Sequence, residues 1–319
     1  MAEMICAGMA LADVMIRELS QEHYSDEIRM AEQIEILPGG DAFNEAVVAA
    51  RLGSRVKLLA SVGADDAGEL IRAKAAAAGV DVSGLVRDQE VPTRIMVLMV
   101  DESGERRQIA RRPGLQKVKP PAQELFDGAK IVSLASLFRA PWDEKDAILN
   151  AASRAKAQGA VVCADIKTND GSKTLADFGE ALSYIDYIFP NEAEARFHTG
   201  KETPEEMGRA LLDLGFGHVV IKLGKRGCYA CSREQSFYMP SFLVKALDST
   251  GAGDNFAAGF MTALAEGKSF VECCRFASAV AAVSVQALGA TAGVQSRAQV
   301  EAFLGSRRAE RPVPPKAVR

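Results

Sequence analysis

Histidine is nearly missing from this chain: His23, His198 and His218 are the only three among 319 residues, and they share no metal-ligand spacing. A histidine-built metal centre is therefore not expected, and all three read as structural. Basic residues are not in excess: 38 Lys or Arg against 42 Asp or Glu give a net charge of −4. That excludes the concentrated positive stripe with which nucleic-acid binders neutralise phosphates. Cysteine is too sparse for a disulfide framework, with six in the whole chain; free thiols in a reducing compartment, the cytoplasm, are the expectation. The CxxC pair Cys228 and Cys231 lies in the strand-like run RGCYACSR, with no second CxxC and no nearby His, and reads as inert. Cys273 and Cys274 fall in an apolar helical pattern and read as core. The opening segment MAEMICAGMALADV has no basic start and carries Glu3 and Asp13 around its short apolar run, so no secretory signal is expected. The uncharged run from Phe276 to Val294 approaches bilayer length, but it is built of Ala, Ser, Thr and Gly and is interrupted by Gly289 and Gly293. A buried helix followed by a turn is expected there, with no membrane contact. Aromatics make up only 6% of the chain, whereas glycine is plentiful at 27, which favours close-packed helices and turns lined by backbone.

Apolar runs suited to buried strands alternate with amphipathic helical patterns along most of the length. Strands are predicted in EMICAGM near the start, VKLLASV at 56–62, AKIVSLA at 129–135, AVVCADI at 160–166, YIDYIFP at 184–190 and HVVIKLG at 218–224. Helices are predicted from Asn44, Asp65 and Pro204. This order implies an α/β fold with a mainly parallel central sheet and helices on both faces, and ligands in such sheets collect beyond the carboxyl ends of the strands. Two segments lack a helical period, at about 14–37 and 94–112. The second reads as a hairpin turning through Asp101, Glu102, Ser103 and Gly104. Its first strand is apolar on both faces, so a small antiparallel sheet covered on both sides is expected, one side toward a substrate and the other toward a partner subunit. A hairpin packed on its own domain is the competing reading. The expected organisation is one domain over 1–305, these inserted strands forming a lid, and a mobile basic tail over 306–319.

Two stretches carry chemistry. In DSTGAGDNFAAGF, Gly251, Ala252 and Gly253 precede a helical pattern, so the chain can turn tightly and aim several N–H groups at one spot. A helix N-terminus there suits phosphate. Asp254, in the first turn, either complements the helix dipole or is a base held beside an anion hole. In GGDAFNEAVVAARLG, Gly39 and Gly40 open a second turn, and Asn44 begins a helix where its side chain either caps or reaches a hydroxyl-rich ligand.

These residues resemble the two signatures of the ribokinase-like (PfkB) carbohydrate kinases. The N-terminal one is matched through Gly39, Gly40, Ala42, Asn44, Ala46, Gly53 and Gly63, and the C-terminal one through Asp248, Ser249, Gly251, Ala252, Gly253, Asp254, Ala258 and Gly259. The similarity runs from the first strand to about Phe303. It implies a three-layer α/β/α fold with a small β-sheet lid, transfer of the γ-phosphoryl group of ATP to a sugar hydroxyl, and a homodimer formed through the lid. Asp254 would be the base, with the amides of Ala252, Gly253 and Asp254 stabilising the transferring phosphoryl. Asp13, Gly39, Gly40 and Asn44 would hold the sugar, with Asp41 a further candidate. Asn191 and Glu194, in PNEAEA, match the family's NxxE pattern and would organise Mg²⁺, largely through water. KLGKRG, with Lys222, Gly224 and Gly227, would line the nucleotide. Asp248, Thr250, Ala287 and Gly289 lie where some relatives bind a monovalent cation, usually K⁺.

The chain also departs from that pattern. Ser278 stands near the adenine where many relatives carry Asn, and Lys167 follows Asp165 where many sugar kinases have Asn; Lys167 would contact phosphate or report an unusual acceptor. Arg94, Arg111 and Arg112 flank the lid hairpin and would meet an anionic group on the acceptor or stand solvated at the lid edge. A nucleoside kinase is the alternative within the family, disfavoured by the scarcity of aromatics in the lid. A dehydrogenase is disfavoured because CAGMALAD lacks the GxGxxG fingerprint. A catalytically inactive ligand sensor on the same fold is the alternative from another class, against which Asp254 and the GAG turn both argue.

Overall fold

The first strand, β1 (Met4–Gly8), is buried along its whole length, as a strand flanked by parallel neighbours must be. The computed structural model describes residues 3–23, 29–101, 106–110, 126, 128–168, 171–307 and 312–314. Arg111, Arg112 and the hairpin turn over 102–105 lie outside them. Around β1 stand β4 (Val56–Gly63) and β5 (Leu85–Asp88) on one side, and β8 (Ile131–Leu137), β9 (Val161–Ile166), β10 (Tyr187–Ile188) and β11 (His218–Lys222) on the other, all parallel. Two antiparallel strands, β12 (Cys228–Ser232) and β13 (Ser236–Met239), close that edge. The nine-stranded order is β13-β12-β11-β10-β9-β8-β1-β4-β5.

Each face of the sheet buries its own core. One contains residues of α1 (Asp41–Arg51), α6 (Ala252–Ala265) and α7 (Phe270–Ser284), including Phe43, Phe260 and Cys274. The other contains residues of α3 (Lys145–Ala157) and α5 (Pro204–Asp213), with Trp142 and Phe178. The result is three layers. Cys228 belongs to the first core and Cys231 to the second, so the CxxC pair is split across the sheet; all six cysteines are free and buried. No helix among the described residues is long and apolar enough to cross a membrane. The uncharged run from Phe276 finishes α7 and then turns.

A second sheet stands at the carboxyl ends of these strands, in the order β3-β2-β6-β7, from β2 (Leu11–His23), β3 (Arg29–Gly39), β6 (Ile95–Asp101) and β7 (Arg106–Ala110). It is mixed rather than antiparallel throughout. β2 and β6 both leave the main domain and run outward side by side, so they pair in parallel, and each returns through its own antiparallel partner. The register gives the sheet two faces. Asp13, Met15 and Arg17 share the inner face with Leu37, Met96 and Leu98, and Met15 and Leu98 are buried there. The outer face carries a row of Ile36, Val14, Val97 and Ile109, with Ile34 and Ile95 beside it. In the segment expected as a tail, Val313 forms a two-hydrogen-bond bridge with Tyr238 on the edge strand β13.

Candidate active site

Two glycine-opened helices face each other at the carboxyl ends of β1 and β8. Gly251, the N-cap of α6, has φ +71, and a Cβ there would lie 2.7 Å from the Cβ of Ala290, so only glycine fits. The amide of Ala252 donates to Ser249 O within the turn at 3.2 Å, while those of Gly253 and Asp254 find no acceptor among the described residues. Asn255 holds the neighbouring loop in place, its Nδ2 donating to Gly251 O at 2.7 Å and to Ala290 O at 2.6 Å. The other helix, α1, is capped by Gly40 at φ +96, where a side chain would strike Met9 O. It therefore starts at Asp41 rather than at Asn44. Asn44 is no cap: one turn into the helix and buried, its Nδ2 donates to Asp254 Oδ2 at 2.7 Å, joining positions 210 residues apart.

Asp254 is buried, and that burial, followed by the negative charge of Asp41, pushes its carboxyl up to about 7; Lys167 and the Asn44 hydrogen bond oppose the rise. Lys167 lies 3.5 Å from Asp41 Oδ2. Burial works against its charge, but Asp165, Asp41, Asp254 and Glu194 together outweigh that and raise its pKa, so it stays an ammonium. Asp41 also accepts from Ser136 Oγ, on a bend where both Ser136 (φ +72) and Phe138 (φ +66) take left-handed backbone without glycine. Burial first, then Asp41, lifts Asp13 to about 6. Gly39 leaves the room in which the Asp13 carboxylate sits. Beneath the site, Glu45 is fully buried and accepts from Ser133 Oγ at 2.6 Å; burial pushes its carboxyl well above the usual range.

The residues expected on the nucleotide side form a separate, tightly paired group. Lys222 Nζ donates to Asp165 Oδ2 at 2.8 Å, and a Cβ on Gly253 would lie 3.0 Å from the same Nζ. Asn191 caps α4 (Glu192–Thr199) in a reciprocal box with Glu194: the Glu194 amide donates to Asn191 Oδ1 at 2.8 Å, and the Asn191 amide to Glu194 Oε2 at 2.7 Å. Glu194 is buried, and burial together with Asp165 raises its pKa. Asn191 bridges Lys222 in parallel register, which brings NxxE beside the KLGKRG turn of Gly224 and Gly227. Ser278 is buried on α7, its hydroxyl without a partner among the described residues.

Asp248 has both oxygens engaged. Oδ1 accepts from the amide and hydroxyl of Thr250 (2.9 and 2.7 Å), and Oδ2 from the amide of Gly289 (2.9 Å) and from Arg17 Nη2 (3.2 Å). Ala287 belongs to the same loop as Gly289. Burial alone would raise this carboxyl, but the donors hold it below the usual range. Arg17 belongs to the lid, so this contact ties the lid to the loop that leads into α6. No group of three His, Cys, Asp or Glu suited to a metal occurs among the described residues. The donors present fit an ion held mainly by water and phosphate oxygens, with Glu194 and Asp165 supplying charge.

Arg17, Glu45, Ser136 and Arg139 were not singled out from sequence. Each acts through contacts made by folding; only Glu45 lies within a quoted motif, at a position that the signature match does not use. Chemically, the arrangement offers a buried carboxylate poised near neutrality beside two free amides at a helix N-terminus.

The profile of the pfkB family carbohydrate kinases matches residues 1–297. The chain is 32% identical over 283 residues to the ribokinase of Haemophilus influenzae, covering 87% of this chain and 90% of that one. It is 27% identical over 316 residues to the 2-dehydro-3-deoxygluconokinase of Bacillus subtilis, covering 94% and 97%. Among solved structures, Arabidopsis thaliana ribokinase complexed with ribose and ATP superposes with a TM-score of 0.83 at 26% identity, covering 96% of this chain and 99% of that one.

Proposed function

The chain belongs to the pfkB family of ATP-dependent carbohydrate kinases, and from that premise we propose that it transfers the γ-phosphoryl group of ATP to a hydroxyl of a sugar, polyol or sugar acid with Asp254 as the base. The observation that carries this reading is the Asn44–Asp254 hydrogen bond at 2.7 Å, which couples the two glycine-opened helices and sets a carboxylate poised near pH 7 beside the free amides of Gly253 and Asp254. Asp254 takes the proton of the attacking hydroxyl, and the Gly251–Ala252–Gly253 turn, chiefly through those two amides, meets the charge of the transferring phosphoryl. Asp13, Gly39, Gly40, Asp41 and Asn44 hold the acceptor. Asn191, Glu194, Lys222, Gly224 and Gly227 line the nucleotide, with Ser278 near the base and Lys167 between acceptor and phosphate. Glu194 and Asp165 would hold Mg²⁺, largely through water, and the ion would supply charge neutralisation on the phosphates. A monovalent cation would sit by Thr250, Ala287 and Gly289, next to an Asp248 that already carries the Arg17 guanidinium. The described inner face of the lid offers Met15, Met96 and Leu98 rather than an aromatic ring, which favours a sugar over a nucleoside.

Asp254→Asn is expected to retain ATP binding while ADP release falls by about 10²- to 10⁴-fold, the range for a positioned base. Turnover within a few fold of wild type would remove the assignment. The same reading includes one domain over 1–305 with an inserted lid, a cytoplasmic location supported by six unpaired cysteines, and a homodimer through the lid. The dimer is supported by the outer face, where Ile34 and Ile36 are 65% and 59% exposed. Ile36→Asp should give monomers in sedimentation velocity; a monomeric wild-type chain would end the dimer proposal.

A further inference from the structure

An acceptor pocket for a neutral sugar leaves two cations without a purpose. Arg94 directly precedes β6, and its carbonyl accepts from the amide of Ala12 at 2.9 Å. Because Ile95 pairs with Ala12 and Met96 with Asp13, strand alternation puts Arg94 on the inner face with Met96 and Asp13. Its Nη1 rests on Met9 Sδ at 3.5 Å, and its Nε is buried without a partner among the described residues. Arg139 leaves the Ser136–Phe138 bend, the same bend that touches Asp41, and its Nη1 reaches the adjacent Phe138 carbonyl at 3.0 Å. Neither arginine makes an ion pair among the described residues. The three other cations described around the site do: Lys167 with Asp41, Lys222 with Asp165 and Arg17 with Asp248.

We propose that Arg94 and Arg139 form an anion-binding subsite at the lid end of the acceptor pocket, so that the acceptor is a sugar bearing a carboxylate or a phosphate. The inference rests on the kinase reading and names its substrate class. A guanidinium cannot shed its proton to escape desolvation or a like-charged neighbour. Arg94 rests on Met9, whose carbonyl closes on Gly40 next to Asp41, and Ser136 of the Arg139 bend touches that same Asp41, so both arginines border the turn that opens α1. Burial, followed by the charge of Arg139, lowers the pKa of Arg94, and a bound anion would oppose both effects. Planar guanidinium forks suit the paired oxygens of carboxylate and phosphate. The cleft also needs such a pair, because Asp13, Asp41 and Asp254 would otherwise repel an anionic acceptor.

The test is ADP release with ribose and fructose as neutral probes, gluconate and 2-dehydro-3-deoxygluconate as carboxylates, and ribose 1-phosphate as the phosphate. Calorimetric binding of the same probes is measured in parallel and does not depend on turnover. One anionic arm should exceed the neutral sugars in kcat/KM, and which arm does so separates carboxylate from phosphate. Arg94→Met and Arg139→Met should each weaken that arm about 10- to 100-fold more than they weaken ribose, the cost of losing a charged hydrogen bond, with partial recovery in Arg94→Lys. Preference for neutral sugars, or equal losses for ribose and the anions, would overturn the subsite. Binding of an anionic probe without turnover by any sugar would instead overturn the kinase reading and leave the subsite standing.

Discussion

The two ends of the cleft treat charge differently. At the proposed nucleotide end the charged groups are answered within the protein: Lys222 by Asp165, and Glu194 by the amide of Asn191. At the proposed acceptor end, Arg94 and Arg139 make no ion pair among the described residues, their guanidiniums reaching only Met9 Sδ and the Phe138 carbonyl, and burial holds the carboxyl of Asp13 high. Where partners are built in, the geometry is finished before any ligand arrives. Where they are missing, the fold carries unsatisfied charge that a ligand must complete, at some cost to stability.

Three substitutions probe that contrast in thermal or denaturant unfolding. Lys222→Met should have the largest effect. It leaves the fully buried carboxylate of Asp165 without its cation and with the Ile166 amide as its remaining hydrogen-bond donor, and is expected to cost about 3 kcal/mol or more; a loss below 1 kcal/mol would mean that the pairing is incidental. Arg17→Met should cost about 1–2 kcal/mol, because Asp248 keeps its Thr250 and Gly289 donors after losing the guanidinium. The Asp248 carboxyl is held low, so its stabilising contribution is present at neutral pH and is lost as the pH falls through its depressed folded value; the wild-type advantage over Arg17→Met should fade in that acid range. If the proposed monovalent-cation site is present, the same variant should depend more on K⁺ for turnover, and an unchanged K⁺ response would sever Arg17 from it. Arg94→Met should have the smallest effect, within about 0.5 kcal/mol of wild type, since it removes a cation that nothing in the described fold answers. A loss as large as that of Lys222→Met would show Arg94 to be structural and erase the contrast.

What could be read from sequence follows the same division. Glycine-opened helix starts leave local signatures, so the turns at Gly39–Gly40 and Gly251–Gly253 that open α1 and α6 were visible. Buried parallel strands leave continuous apolar runs, so the central sheet was visible too. The parallel pairing of β2 with β6 was not, because it follows from where two distant segments leave the main domain. Asn44 was seen but misread as a helix start, since Gly40 as the N-cap is recognisable only from its positive φ. Arg139 left no trace, because its placement depends on a bend in which Ser136 and Phe138 adopt glycine-like backbone. Arg17 meets Asp248 across 231 residues, a contact to which no local pattern points.

The central claim is that Asp254 is a base whose proton affinity is set by its burial and its neighbours. Its pH–rate profile tests that most directly. For wild type, kcat/KM should rise with pH through a single ionisation near pH 7 and then level off, because the base must be ionised to accept the hydroxyl proton. In Asn44→Leu the acid limb should move to higher pH, because the hydrogen bond that favours the carboxylate is gone. A wild-type rate flat from pH 5.5 to about 8, or an acid limb unmoved in Asn44→Leu, would contradict the account.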